Sequence, residues 1–306
     1  MTTGTHDYQD DPRNQDILID LNGDLVPRER AMVSVFDSGF ILGDGVWEGL
    51  RLHNGRIAFL DQHLQRLYQG AKALDLGIGL GPEEFAARLE RLIEANGMVS
   101  GVHIRLMVTR GIKATPYQDP RLTVSGPTIV MVPEYKEPLA TTVQDGIRLF
   151  TVHVRRGPPD VQDPKLNSHS KINCILACIQ ATKAGADEAL MLDPHGFVAT
   201  CNSTHFFIVT GGEIWTSTGR YCLAGITRAN LIALGRQNGI EVRQCDFSLT
   251  DVYSAEEAFV SGTFAGVTPV VEIDGRRIGS GRRGPLTQRL QELYSDLIER
   301  ECPPST

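Results

Sequence analysis

The sequence predicts an α+β protein in two halves, and three observations carry that expectation. Its 306 residues are more than one typical domain needs. Apolar patterns of period two and of period 3.6 follow one another along the chain. From Pro133 to Gly146 the chain turns polar, carries two prolines and loses its periodicity. This places a linker at residues 134–146, between a smaller domain at 16–133 and a larger one at 147–306. Residues 1–15, polar and acidic, read as a flexible tail.

Residues 17–36 read as strands, with Ile17–Leu21 returning through Asp24–Val26 around an Asn22-Gly23 turn. A second hairpin is expected at Leu50–Leu60 around Asn54-Gly55. A helix follows, with Asp61 as its N-cap and Leu64, Leu67, Tyr68, Ala71 and Leu74 on one face. The next helix runs from Pro82 to Asn96, turns Phe85, Leu89, Leu92 and Ile93 inward and stops at Gly97. Val102–Thr109 and Thr128–Val132 read as buried strands. Past the linker, Ile147–Val154 is a strand. Residues 172–183 form a helix with Ile172, Ile175, Leu176 and Ile179 on one face. Strands are expected at Glu188–Leu192, Phe197–Ala199, Phe206–Val209 and Glu213–Thr216. A helix at Arg228–Asn238 ends at Gly239. Further strands lie at Glu241–Phe247, Ala258–Val260 and Pro269–Ile273. A last helix starts near Pro285 and buries Leu286, Leu290, Leu293 and Leu297.

Hydrophobic residues make up 41% and charged residues 22% of the chain, the balance of a soluble globular protein. A formal net charge of -7 argues against nucleic acid or an anionic membrane as the main partner. No apolar run is long enough to span a membrane, and the first residues carry no apolar signal core. The six cysteines are scattered, which fits reduced thiols in the cytoplasm and no disulfide framework. Cys174 and Cys178, four apart on a helix, lack the partners of a metal site, so no metal is expected.

Three separated places suit an anion. Arg66 shares a helix stripe with His63 and Gly70; its fork fits a phosphate, and Gly70 leaves room for close approach. Gly225-Ile226-Thr227 stands at a helix start, where free N–H groups and the dipole favour negative charge and Thr227 can cap. Ser261-Gly262-Thr263-Phe264 ends a buried strand, where successive N–H groups can turn towards an anion. Taken singly, each signal is weak: a surface arginine fits Arg66 better, an ordinary capped helix fits Gly225–Thr227 at least as well, and a plain loop fits Ser261–Phe264. Lys171 stands where an apolar helical pattern begins. The dipole there disfavours an ammonium and so favours the neutral amine that captures an aldehyde. A surface lysine beside a helix start fits the same position.

Several segments together resemble the fold-type IV pyridoxal-phosphate family, which includes branched-chain and D-amino-acid aminotransferases, (R)-amine transaminases and aminodeoxychorismate lyase. They are Phe36–Arg51 (FDSGFILGDGVWEGLR), Asp61–Leu67 (DQHLQRL), Asn167–Asp193, Leu223–Arg228 (LAGITR) and Ser261–Val270 (SGTFAGVTPV). They stand in the family's order, and the resemblance covers nearly all of the chain after residue 15. It implies two α+β domains with pyridoxal 5'-phosphate between them, and a homodimer in which a loop of one subunit closes the partner's site. It implies that Lys171 is the Schiff-base lysine and that Arg66, Ile226, Thr227 and Thr263 hold the phosphate. The activity implied is transfer of an amino group between an amino acid or amine and a 2-oxo acid.

Thr200 departs from the family, which usually carries a glutamate there to pair with the pyridine nitrogen. A hydroxyl hydrogen-bonds that nitrogen but holds no proton there by charge. An aminodeoxychorismate-type lyase, and a cofactor-binding paralogue with weak or lost activity, therefore stay open. For the substrate, the resemblance points to Trp47, Arg51, His103, Arg105, Phe264 and Ala265. His103 and Arg105 lie two apart on a strand and face the same side, where an arginine can pair a substrate carboxylate. His103 and Leu42 replace common tyrosines, Trp47 replaces a common phenylalanine, and Gly111–Tyr117 lacks the arginine of D-amino-acid enzymes. The substrate's handedness is not legible from this mixture.

Overall fold

The structure, a computed structural model, describes residues 4–6 and 8–304. Two compact units make up the chain, and neither is one continuous stretch. The N-terminal unit comprises Gln9–Glu137, Leu166–Lys171 and the described residues from Glu299. The C-terminal unit comprises the described residues up to Tyr8, Pro138–Lys165 and Ile172–Ile298.

In the N-terminal unit the order is β1 (Leu18–Leu21), β2 (Asp24–Pro27), α1 (Ser38–Leu42), β3 (Gly45–His53), β4 (Arg56–Ile57), α2 (Leu60–Ala73), α3 (Pro82–Ala95), β5 (Val102–Thr109) and β6 (Thr128–Tyr135). The six strands form one antiparallel sheet in the order β2-β1-β6-β5-β3-β4. Both expected hairpin turns are present, with Asn22 and Gly23, then Asn54 and Gly55, at positive φ. One sheet face is the core: Val46, Leu50 and Leu52 of β3 and Ile104, Leu106 and Val108 of β5 pack against Leu64 and Leu67 of α2 and Phe85, Leu89 and Leu92 of α3.

Three local expectations change here. Strand character ends at Pro27 and not at residue 36, because Arg28–Arg30 form a single 3-10 turn. Phe59, in the left-handed region with φ 56, enters α2 as its N-cap, and Asp61 lies in the first turn, where the dipole still favours it. Gly70 serves packing: a Cβ there would stand 3.2 Å from Val46 Cγ1, so the glycine lets α2 approach β3.

The C-terminal unit runs α4 (Ala140–Asp145), β7 (Ile147–Thr151), α5 (Pro159–Gln162), α6 (Ile172–Lys183), β8 (Glu188–Leu192), β9 (Val198–Cys201), β10 (His205–Thr210), β11 (Glu213–Thr216), α7 (Ile226–Gln237), β12 (Val242–Gln244), α8 (Leu249–Tyr253), β13 (Glu257–Gly262), β14 (Gly266–Ile273) and β15 (Arg276–Arg277), and α9 (Pro285–Glu301) begins in it. Its nine strands order as β12-β11-β10-β13-β14-β7-β8-β9, with β15 on β14. Pairing is parallel at β12/β11, β14/β7 and β7/β8 and antiparallel elsewhere.

Helix α6 turns opposite to expectation. Ile172, Ile175, Leu176 and Ile179 are 45–63% exposed, while Ala177 and Ala181 are buried. The small alanine stripe brings the helix backbone close to Ala189 and Met191 of β8, and the bulky stripe is left outside. In α9, Leu290 is buried, whereas Leu286, Leu293 and Leu297 are only partly covered. Strand β12 spans Val242–Gln244 alone, shorter than the stretch 241–247 expected.

Candidate active site

Side-chain parity on β3 and β5 builds the candidate site residues of the N-terminal unit. Arg51 stands opposite His103, and Gly49 opposite Arg105. Directly opposed residues share a sheet face, so Trp47, Arg51, His103 and Arg105 all point away from the helix-covered core. The Arg105 guanidinium carbon lies 3.7 Å from the Trp47 ring centroid, stacked on it. Burial pushes the Arg105 pKa down, and Glu134 acts in the opposite sense. Arg51 is buried and donates to the Lys136 carbonyl. Gly49 makes room for the imidazole: a Cβ there would stand 3.0 Å from His103 Nε2.

Lys171 joins this face through the segment before it. Residues 167–169 dock along β3: Trp47 N donates to Asn167 O, Asn167 Nδ2 to Trp47 O, Trp47 Nε1 to Ser168 O, and His169 N to Gly45 O. The lysine amine then donates to Asn167 Oδ1 at 3.1 Å and stands 5.2 Å from the Trp47 ring centroid. Gly43, in the left-handed region with φ 68, is required by close approach, since a Cβ would meet Ser170 Oγ at 2.7 Å. His169 Nε2 meets the Val46 carbonyl; burial lowers its pKa, and the hydrogen bond to Val46 acts in the opposite sense.

Arg66 comes from the other face. Its Nε and Nη2 donate to the two oxygens of Glu48 at 2.8 and 2.6 Å, and His63 Nδ1 meets the same carboxylate at 2.6 Å. Burial alone would push the Glu48 pKa up; the hydrogen bonds from Arg66 and His63 outweigh it, and the carboxyl is held below its ordinary value. Two anchors and the helix thus fix the arginine. Sequence reasoning missed Glu48 and Asn167. Glu48 had a signal, a charge between Val46 and Leu50 on an apolar strand face. Asn167 had none without its partner strand.

The C-terminal unit carries a set of its own. Helix α7 opens at Gly225, which has an extended backbone and offers no capping side chain. Thr227 is therefore its second residue and not its cap. The N–H groups of the first turn are left to other acceptors, as the fit of an anion requires. Thr227 Oγ1 lies 3.4 Å from the Tyr294 hydroxyl. Thr263, Phe264 and Ala265 form the turn between β13 and β14, with Phe264 buried. On the strand before them, the Ser261 hydroxyl is buried with no hydrogen-bond partner, a second feature suited to an oxygen-rich ligand. Thr200 is buried on β9, and its hydroxyl donates to the Thr204 carbonyl at 2.8 Å. These residues fit pyridoxal phosphate: hydroxyls and helix N–H groups for the phosphate, and a primary amine for the aldehyde.

The N-terminal unit thus carries a lysine amine and an arginine against one indole, and the C-terminal unit an uncapped helix start suited to an anion. Residues 45–273 match the family described as amino-transferase class IV. The chain is 40% identical over 288 residues to branched-chain-amino-acid aminotransferase-like protein 2 of Arabidopsis thaliana, covering 94% of this chain and 51% of that protein. It thus spans about half the length of that relative. It is 34% identical to a D-alanine aminotransferase of Listeria monocytogenes, covering 92% and 96% of the two chains. Its fold superposes with a TM-score of 0.86 and 34% identity on a T.th. branched-chain amino acid aminotransferase complexed with N-(5'-phosphopyridoxyl)-L-glutamate, covering 94% and 96%. The chain belongs to the class IV aminotransferases, a family whose transaminations depend on pyridoxal phosphate.

Proposed function

We propose that this chain is a pyridoxal-phosphate-dependent aminotransferase that moves an amino group between an amino acid or amine and a 2-oxo acid, with Lys171 as its working residue. One observation carries the reading. The Lys171 amine is held by Asn167 over the ring of Trp47, the same ring on which the Arg105 guanidinium is stacked. An amine and a carboxylate-binding fork share one indole, as an amino acid's two functional groups demand.

The bound cofactor supplies the electron sink that weakens the bonds at the substrate's α-carbon. The protein's own residues do the rest. Lys171 would hold the cofactor's aldehyde carbon until the substrate's amine takes its place there; the freed lysine amine would then accept a proton from the substrate carbon and give it back as general acid. Arg105, held over the Trp47 ring, is pre-set to pair the substrate carboxylate, with Arg51 and His103 on the same sheet face. Ile226 and Thr227 offer N–H groups at the start of α7, Thr263 adds a hydroxyl, and Glu48 fixes the fork of Arg66 for the phosphate. Phe264 and Ala265 contribute a wall at the β13–β14 turn. Because the Thr200 hydroxyl donates to Thr204, it offers the ring nitrogen a lone pair and suits a nitrogen that carries its own proton.

The chain acts as a homodimer. The exposed stripe Ile172, Ile175, Leu176 and Ile179 supports this, as does the separate exposed group Met32, Val35, Phe36 and Phe40 in the N-terminal unit. Six unpaired cysteines support a reducing compartment, the cytoplasm. Among the described residues no helix is long and apolar enough to cross a membrane.

The test is a half-reaction. Single amino acids of both hands, with side chains of graded size, are added to the holoprotein and the cofactor's absorbance is followed. Conversion to the pyridoxamine form without any acceptor supports the reading. An unchanged spectrum across the panel defeats it, and pyruvate released from aminodeoxychorismate alone marks a lyase instead.

A further inference from the structure

The described residues at the N-terminus are tied down within the C-terminal unit. Thr5 is 3% exposed, and its hydroxyl donates to Glu188 Oε2 at 2.9 Å. Gly4 lies close enough to β8 that a Cβ would stand 3.2 Å from the Asp187 carbonyl. The His6 ring sits 5.7 Å from that of Phe264, tilted by 45°.

Glu188 is a buried carboxylate held by neutral donors. Its other oxygen accepts from Ser203 N at 3.1 Å, Ser203 Oγ at 2.6 Å and Thr204 Oγ1 at 2.8 Å. Thr204 in turn accepts the Thr200 hydroxyl through its carbonyl. One carboxylate therefore ties the N-terminal residues to the turn that orients Thr200. A buried charge needs its hydrogen bonds, so Thr5 is an anchor and not an incidental contact. Phe264 is 5% exposed in its turn, whereas His6 is exposed. The exposed imidazole stands beside the buried phenyl ring, tilted against it.

We propose that residues 4–6 form a strap across the β13–β14 turn, with Thr5 as its anchor and His6 as a specificity-determining wall of the substrate site at Phe264. The inference rests on the reading of Phe264 as a substrate contact. A histidine over an apolar ring limits the size of side chain that reaches the ring and gives the entrance a polar rim. Thr5 acts through Glu188 and is a positioning residue.

The experiment measures kcat and KM for His6→Ala, Thr5→Val and Phe264→Leu holoenzymes across amino donors of graded side-chain size, with the cofactor spectrum as a check on each fold. For His6→Ala the KM ratio of small to large donors is expected to shift by about tenfold, the discrimination that roughly one or two methylenes carry in a pocket. The kcat for the small donor stays within about twofold, since this wall does not touch the reacting atoms. Thr5→Val shifts the ratio in the same direction and by less. An unchanged ratio in His6→Ala while Phe264→Leu alters it overturns the strap and leaves the aminotransferase reading intact. Unchanged ratios in both remove Phe264 from the substrate site and the strap with it. A wild-type holoprotein that converts no donor is instead a failure of the aminotransferase reading itself.

Discussion

Lys171, Trp47 and Arg105 carry the proposed chemistry, and each is braced by a neighbour. Asn167 uses its carbonyl oxygen on the lysine and its amide on the β3 backbone, so one side chain sets both the amine and the strand. Lys171→Ala is expected to abolish turnover with the circular dichroism unchanged; residual activity above about one thousandth of wild type would contradict the assigned role. Glu48 braces Arg66 in the same way. Glu48→Gln removes the charge that two partners share, and breaking such a buried cluster costs about 3 kcal/mol. The expected outcome is a lowered melting temperature together with a cofactor Kd raised at least about tenfold in a titration of the apoprotein. Thr200→Glu, which restores the carboxylate of the family, is expected to shift the bound cofactor's absorbance, and identical spectra over pH 6–9 would show that Thr200 does not face the ring.

At the scale of elements, α6 shows what periodicity does and does not reveal. Two stripes of the helix are non-polar, one of alanines and one of isoleucine and leucine. Sequence alone ranks the larger one as core. The fold buries the alanines, because small side chains let a helix lie close to a sheet, and leaves the larger stripe for another surface. Ile175→Glu is expected to convert a dimer to a monomer in analytical ultracentrifugation while leaving the melting transition cooperative; an unaltered mass would remove α6 from the interface. By contrast the buried faces of α2 and α3 were legible, since each helix has one apolar face and their cores formed from Leu64, Leu67, Phe85 and Leu89 as read, although the cap of α2 was not. Helix α1 was overlooked although its signals were present. Asp37 caps it through Gly39 N, and Gly43 closes it in the left-handed region, but five residues are too few to show a period.

For the whole molecule, the order of elements and the strand parity that aligns His103 with Arg105 were readable because they depend on local alternation. The braces were not, because Glu48–Arg66 and Thr5–Glu188 join residues far apart in sequence. Acid lability follows from two groups. Burial, with Arg51 nearby, pushes the His53 pKa down from 6.5 to about 4. The unfolded chain therefore binds a proton that the folded one refuses, and stability falls as pH drops from 6.5 towards 4. Glu48, held below its ordinary range, contributes stability that is present above the unfolded carboxylate value and is lost as pH falls through its folded value. Both act in one direction, so the melting temperature is expected to decline steadily below pH 6.5, and His53→Asn should flatten the upper part of that decline. A melting temperature that holds level from pH 6.5 to 4 would contradict this account.

The claim on which all else depends is that the Lys171 side-chain amine carries the cofactor. Borohydride reduction of the purified holoprotein, followed by peptide mass mapping, tests it directly. The expected result is a single phosphopyridoxyl adduct on the peptide containing Lys171. An adduct on another lysine, or none on that peptide with the cofactor bound, would contradict it.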